Sequence, residues 1–315
     1  MPAIEVEDLY KSYGPVQAVK GVSLHVGEGE VFSLLGPNGA GKTTTVEILE
    51  GYRTRNSGRV SVLGHDPAGA GPELKQRIGI VLQQTGVEEF LTVRETIDMY
   101  RGYFPRPRPT DEIIELVELK PKQHTRITKL SGGQRRRLDV AVALAGDPDL
   151  LFLDEPTTGF DPGARRNAWS VVKSLAALGK TIFLTTHYMD EAQYLADRVA
   201  VIAGGVIVAE GPPSTLAGRE TAATRIRFRA PADLPSLPAI QSTSITDGVA
   251  ELRTQDPTRA LHELTAWAIG RDVALEGLEV GRPSLEDVYL ELTGGITAPP
   301  EEATPARGRR RRRRM

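Results

Sequence analysis

The chain has 315 residues, of which 40% are hydrophobic and 25% charged, and it contains 32 glycines but no cysteine. This length predicts one sizeable α/β domain with a smaller companion, and the lack of cysteine excludes disulfides, thiolate metal sites and cysteine nucleophiles. Setting aside seven positive charges near the C-terminus (Arg307 and the run at 309–314) changes the net charge from −2 to −9, so the body is acidic and no nucleic-acid-binding fold is expected.

The N-terminal segments 3–14 and 21–30 alternate apolar and polar residues and are joined by glycine turns, which predicts antiparallel strands. The chain starts with acidic residues where a secretory signal would be basic, and no apolar run approaches the length of about 18 residues that would span a membrane. We therefore expect the protein to stay in the cytoplasm.

Short apolar runs then alternate with helical patterns three times along the chain. This alternation predicts a doubly wound α/β fold with a parallel sheet. The three strand-and-helix pairs are 30–36 with 42–51, 149–156 with 162–179, and 180–187 with 188–196.

The pattern changes after Gly218. Two strand-like segments and a helix at 257–270 predict a small α+β unit, and the proline-rich stretch after it predicts a disordered linker. The predicted domains are a large α/β domain at 1–218, to which the motifs described below assign ATP binding, an accessory α+β domain at 219–296 and a disordered arginine-rich tail at 297–315.

The segment GPNGAGKT at 36–43 matches the G-x-x-x-x-G-K-[ST] pattern between a predicted strand and a predicted helix. Its glycines let backbone N–H groups converge on phosphates, the Lys42 ammonium would contact the β- and γ-phosphates, and the Thr43 hydroxyl would ligate Mg²⁺. The pattern therefore predicts ATP and Mg²⁺ as ligands. The predicted nucleotide-binding residues here are Gly36, Pro37, Asn38, Gly39, Ala40, Gly41, Lys42, Thr43 and Thr44.

Two predicted strands end in polar residues suited to this chemistry. Asp154 and Glu155 end the run DLLFLDEP; Asp154 is expected to hold Mg²⁺, and Glu155 to act as the general base for the attacking water. His187 ends the run TIFLTTH and would donate a hydrogen bond to the γ-phosphate. The alternatives are a turn cap before Pro156 for the acids and a structural role for the histidine.

Five motifs occur in the order GPNGAGKT, LSGGQ, LLFLDEP, GFDP and TTH, and over residues 3–218 the chain resembles the nucleotide-binding subunits of ABC transporters. The resemblance implies a P-loop ATPase cassette with a parallel core sheet, N-terminal antiparallel strands and a helical signature subdomain around LSGGQ. The resemblance implies that Tyr13 stacks on adenine, with a core tyrosine as the alternative. It also implies that Gln83 senses Mg²⁺ and couples hydrolysis to a membrane partner. Leu82 replaces the proline that often precedes this glutamine, so Gln84 is the second candidate.

The LSGGQ segment at 130–134 is a second anion site, because Ser131 is a favourable helix N-cap and Gly132 and Gly133 leave the helix N-terminus bare. The resemblance implies that this segment caps the ATP of the opposite subunit. A two-fold homodimer would then hold two ATP molecules. The residues implied at this interface are Ser131, Gly132, Gly133, Gln134 and Asp161.

The C-terminal segment PSLEDVYLELTG and the sequence around LSGGQ are similar to the drug-exporter branch of the family. This similarity implies an ATPase at the cytoplasmic face of the membrane that powers a separate permease and exports a drug-like compound. The alternative is a regulatory ABC ATPase without a permease. For the arginine-rich tail, the alternatives are a solvated end and contact with anionic lipid.

Overall fold

A computed structural model describes residues 2–81, 88–218, 222–231 and 233–292. The strands are β1 (Pro2–Tyr13), β2 (Val16–Gly27), β3 (Val31–Leu35), β4 (Ser57–Val62), β5 (Ile78–Val81), β6 (Leu150–Asp154), β7 (Thr181–Thr186), β8 (Arg198–Ala203), β9 (Val206–Gly211), β10 (Thr224–Arg229), β11 (Ser242–Thr246), β12 (Val249–Thr254) and β13 (Glu279–Gly281). The helices are α1 (Lys42–Leu49), α2 (Pro72–Arg77), α3 (Val93–Arg101), α4 (Thr110–Leu116), α5 (Gly132–Ala143), α6 (Pro162–Ala177), α7 (Met189–Leu195), α8 (Pro257–Gly270) and α9 (Leu285–Leu292).

The N-terminal sheet has the order β2-β1-β4, and both pairings are antiparallel, which confirms the predicted antiparallel strands. The strand predicted at 21–30 starts earlier, at Val16, because Gly14 adopts a left-handed backbone and lets Tyr13 pair with Val16 across a tight turn.

The central sheet has the order β5-β6-β7-β3-β8-β9. Its first five strands run parallel, as predicted, and β9 adds an antiparallel edge because it returns from β8 through the turn at Gly204 and Gly205. The rings of Phe32 and Phe152 contact the Phe183 ring at centroid distances of 5.5 and 5.8 Å. These contacts fill the core beneath the strand ends that carry the predicted site.

A helical layer packs against one side of the central sheet. Ile97 of α3, Ile113 of α4 and Leu138 of α5 belong to one buried cluster with Leu153 of β6. The start of α5 is thereby fixed relative to the strand that ends in Asp154, and the predicted helical signature subdomain is confirmed.

The C-terminal part forms an antiparallel sheet of order β11-β12-β10-β13 that packs against α8. The last helix, α9, contacts the first part of the chain instead: Leu285 and Tyr289 are buried in one cluster with Leu35 and Ala192. The boundary at 218/219 stays a prediction, and α9 ties the predicted accessory unit to the predicted ATP-binding domain.

Candidate functional site

The glycine-rich loop between β3 and α1 adopts a conformation that favours glycine at three of its positions. Gly39 and Gly41 have φ angles of +79° and +106°. A Cβ atom on Gly36 would lie 2.4 Å from the carbonyl oxygen of Ile202, and one on Gly41 would lie 2.5 Å from that of Ala18. The loop thus exposes bare backbone beside a cavity of about 260 Å³, which is lined by Ala18, Asn38, Gly39, Gly41, Lys42, Thr43, Thr44 and Glu155.

Lys42 is buried, with 4% of its surface exposed, and its ammonium group is held by three oxygens. Its Nζ atom donates to the carbonyls of Gly36 and Pro37 at 2.8 and 3.2 Å and lies 3.2 Å from Oε1 of Glu155. A single charged group therefore connects the phosphate loop to the end of β6.

Glu155 follows β6 with a φ angle of +45°, which is unusual for a residue with a side chain. Its Oε1 atom also lies 3.3 Å from Nδ1 of His187, and its Oε2 atom accepts a hydrogen bond from Thr158 at 3.2 Å. Burial raises the pKa of Glu155, but the nearby His187 side chain and the Lys42 charge outweigh it and lower the pKa to about 2. The structure therefore brings Lys42, Glu155 and His187 together, as the sequence predicts.

Asp154 lies one residue earlier, beside this cluster. It accepts a hydrogen bond from the Thr185 hydroxyl. Burial raises the pKa of Asp154, the Thr185 hydrogen bond opposes this shift, and the negative charge of Glu155 adds to it. A cation would stabilise the charged form of such a carboxylate, so Asp154 and the Thr43 hydroxyl fit Mg²⁺, which prefers oxygen ligands.

The LSGGQ segment forms the predicted helix start. Ser131 caps α5, since its Oγ atom accepts from the Gln134 N–H at 3.3 Å while Oε1 of Gln134 accepts from the Ser131 N–H at 3.1 Å. A cavity of about 600 Å³ includes Ser131, Gly133 and Asp161 in its lining. It shares no described lining residue with the cavity at the phosphate loop, so the two predicted anion sites line separate cavities in this chain.

The remaining predicted residues are separate from this cluster. Tyr13 is 39% exposed at the end of β1, which excludes the alternative of a core tyrosine, and the cationic groups of Lys11 and Arg53 lie 5.3 and 5.2 Å from its ring centre. Asp161 caps α6 by accepting from two backbone N–H groups at 2.9 Å. Gln83 and Gln84 lie outside the described residues, so their predicted roles stay predictions.

Two buried acids beside the site were not predicted from the sequence. Glu191 of α7 accepts hydrogen bonds from the Thr157 hydroxyl at 2.8 Å and the Trp169 indole N–H at 3.0 Å, and burial raises its pKa. Glu50 follows α1, and its Oε1 atom is buried without a hydrogen-bond partner. The weak signal for both was an acidic residue next to the apolar face of a short helix.

Glu50 leads to a prediction about the pH dependence of stability. Burial, with the charges of Asp154 and Glu47, raises its pKa from 4.5 to about 8, so the folded chain holds this proton at neutral pH and the unfolded chain does not. The contribution of the protonated Glu50 carboxyl to the free energy of unfolding is fully present below pH 4.5 and is lost as the pH rises towards 8. We expect Glu50→Gln, which stays neutral, to be more stable than the wild type at pH 8 by a few kcal/mol in urea unfolding. Parallel pH dependence of the two proteins would contradict this prediction.

Comparison with known proteins agrees with this geometry. The ABC transporter family model matches residues 19–158, and a model for the C-terminal domain of ABC transporter domain-containing proteins matches residues 224–284. The Nod factor export ATP-binding protein I of Rhizobium sp. (strain N33) is 40% identical, covering 93% of this chain and 97% of the relative. The daunorubicin resistance ATP-binding protein DrrA2 of Streptomyces coeruleorubidus is 38% identical, covering 94% and 96%.

Two solved structures show the same fold. The ADP conformation of MJ1267, an ATP-binding cassette of an ABC transporter, has a TM-score of 0.60 and 26% identity over 67% of this chain and 91% of that one. The dimeric post-hydrolysis structure of the cassette MJ0796, bound to ADP and Pi, has a TM-score of 0.59 and 26% identity over 66% and 98%. In the ranges described for this chain, no helix has the length and apolar character needed to cross a membrane.

Proposed function

We propose that this chain, which belongs to the family of ABC transporter ATP-binding proteins, is the subunit that powers a separate membrane permease in the export of a drug-like or lipophilic compound. It is an ATPase, as the family implies. The observation that carries the hydrolytic part of the proposal is the contact of Lys42 with Glu155 and of Glu155 with His187 at the end of the phosphate loop.

The proposed chemistry starts with the exchange of partners at Lys42. When ATP enters the loop, the Lys42 ammonium turns from Glu155 and the loop carbonyls to the β- and γ-phosphates. Glu155 then loses one of the charges that lower its pKa, and its carboxylate becomes a stronger base for the attacking water. His187 is left to orient that carboxylate and to donate to the γ-phosphate.

We assign the metal ligands to Thr43 and Asp154, with Gln83 as the third predicted ligand. Mg²⁺ would neutralise charge on the phosphate oxygens when it is bound. Thr185, which donates to Asp154, would orient this carboxylate. Tyr13 would stack on the adenine through its exposed ring.

We also propose that ATP binds between two copies of the chain, with Ser131, Gly133 and Asp161 of one copy facing the phosphate loop of the other. The separate lining of the two cavities supports this arrangement, because no described residue of one chain lines both the LSGGQ cavity and the phosphate-loop cavity. The dimeric MJ0796 cassette gives a precedent for two-fold pairing.

Export and a separate permease are inferred from the relatives, whose names describe Nod factor export and daunorubicin resistance. The proposal places the chain at the cytoplasmic face of the membrane. Contact of the arginine-rich tail with anionic lipid stays a prediction, since the tail lies outside the described residues.

Affinity purification of the tagged chain from detergent-solubilised membranes tests the permease. We expect one integral membrane protein with about six apolar spans of roughly 20 residues to co-purify. An untagged strain is the control for unspecific capture. Recovery of the chain with a soluble assembly and without a membrane protein would favour the regulatory ATPase instead.

A further inference from the structure

Arg136 is the buried member of the arginine run at 135–137, near the start of α5. Only 8% of its surface is exposed, whereas Arg135 and Arg137 lie closer to the surface. Its Nε atom donates to the carbonyl of Pro156 at 3.1 Å, and its Nη2 atom donates to the carbonyl of Asp154 at 3.2 Å. These two carbonyls belong to the residues on either side of Glu155.

The backbone that Arg136 contacts is strained. Glu155 has a φ angle of +45°, and a residue with a Cβ in this left-handed region costs about 1–2 kcal/mol. Its own N–H donates to the carbonyl of Thr185 at 3.1 Å, which holds one side of the turn. The neighbouring carbonyls need donors as well, and a guanidinium supplies two in a fixed planar arrangement.

We propose that Arg136 is a positioning residue for Glu155. Its guanidinium holds the backbone at Asp154 and Pro156 so that the Glu155 carboxylate points at Lys42 and His187. The helix that Ser131 caps, α5, thereby sets the geometry of the general base in its own subunit, while its first residues face the ATP of the other subunit in the proposed dimer. The inference rests on the proposed role of Glu155 and adds a residue that this role requires.

The arginine run offers matched controls. Arg135 lies 3.6 Å from Glu89, and Arg137 lies 3.1 Å from Glu118, so neither makes the described contacts at Glu155. We expect Arg136→Gln to lower kcat for ATP about tenfold or more, with KM for ATP within about twofold of wild type, because ground-state binding is untouched. Arg135→Gln and Arg137→Gln remove the same charge from the same helix and should keep the wild-type kcat.

A second variant keeps the test independent of folding. Arg136→Lys retains the charge and one donor group, and we expect its kcat to lie between those of the wild type and Arg136→Gln. Thermal unfolding of all variants measures stability separately. A wild-type kcat for Arg136→Gln, or equal losses in all three glutamine variants, would overturn the proposal.

A double-mutant cycle with Glu155→Gln tests whether Arg136 acts through Glu155. In single-turnover reactions at saturating ATP, Arg136→Gln should slow the Glu155→Gln protein less than about twofold, since its effect requires the carboxylate. An equal loss in both backgrounds would show a general structural role and contradict the inference. Near-normal turnover by Glu155→Gln alone would instead refute the proposed role of Glu155.

Discussion

Glu155→Gln is expected to bind ATP with near wild-type affinity and to hydrolyse it at least about a hundredfold more slowly. The amide has nearly the same shape as the carboxylate but cannot accept a proton from water. It also removes the negative charge 3.2 Å from the Lys42 ammonium, which frees that group for the phosphates. Phosphate release measures turnover, and titration with a fluorescent nucleotide measures binding.

Lys42→Ala is the matched contrast for this prediction, because it removes the other partner of the same ion pair. It should weaken ATP binding itself, since the ammonium is the only cationic group lining the cavity at the phosphate loop among the described residues. Normal phosphate release by the Glu155→Gln protein would remove Glu155 from its assigned role.

Adding Gly133→Asp to Glu155→Gln is expected to abolish the ATP-dependent dimer that the single Glu155→Gln variant accumulates. A Cβ at Gly133 would meet only the Cβ of Ala164, at the ordinary contact distance of 3.7 Å, so the isolated chain has room for the first side-chain atom of an aspartate. In the proposed dimer it would face the γ-phosphate of the other subunit, where like charges repel. The double variant should therefore fold, bind ATP through Lys42 and stay monomeric.

Size-exclusion chromatography with light scattering, with and without Mg-free ATP, measures this dimer. Gly133→Asn in the same background is the control for size without charge, and we expect it to weaken the dimer less than aspartate does. A persistent ATP-dependent dimer of the aspartate variant would exclude this segment from the interface. Loss of ATP binding by the folded variant would place the segment in its own subunit's site.

The parts of the site that depend on local pattern could be predicted from the sequence. The glycines at 36–41 and the Ser131 cap follow from backbone geometry within a few residues. The meeting of Glu155 with His187 was also predictable, because parallel strands place their carboxyl ends at one edge.

Contacts between side chains and distant elements could not be predicted in this way. The helical period places Arg136 on the same face as Val140, but nothing local shows that its guanidinium reaches carbonyls about 20 residues further along the chain. The raised pKa of Glu50 depends on Asp154, which folding brings near it. The antiparallel edge strand β9 was not predicted from the sequence, because a short apolar run does not show whether a strand lies parallel or antiparallel to its neighbour.

Mixing two inactive variants tests most directly whether ATP binds between two chains. Lys42→Ala damages the phosphate loop, and Gly133→Asp damages the segment that faces the other subunit's ATP. A homodimer of either variant therefore has no intact ATP site. A mixed dimer contains one site with an intact Lys42 from one chain and an intact Gly133 from the other. With equal amounts of the two variants, half of the random pairings are mixed, and each mixed pair has one intact site out of two. We therefore expect ATPase activity to recover towards about a quarter of the wild-type rate. Activity that stays at the level of the separate variants would contradict a site shared between subunits.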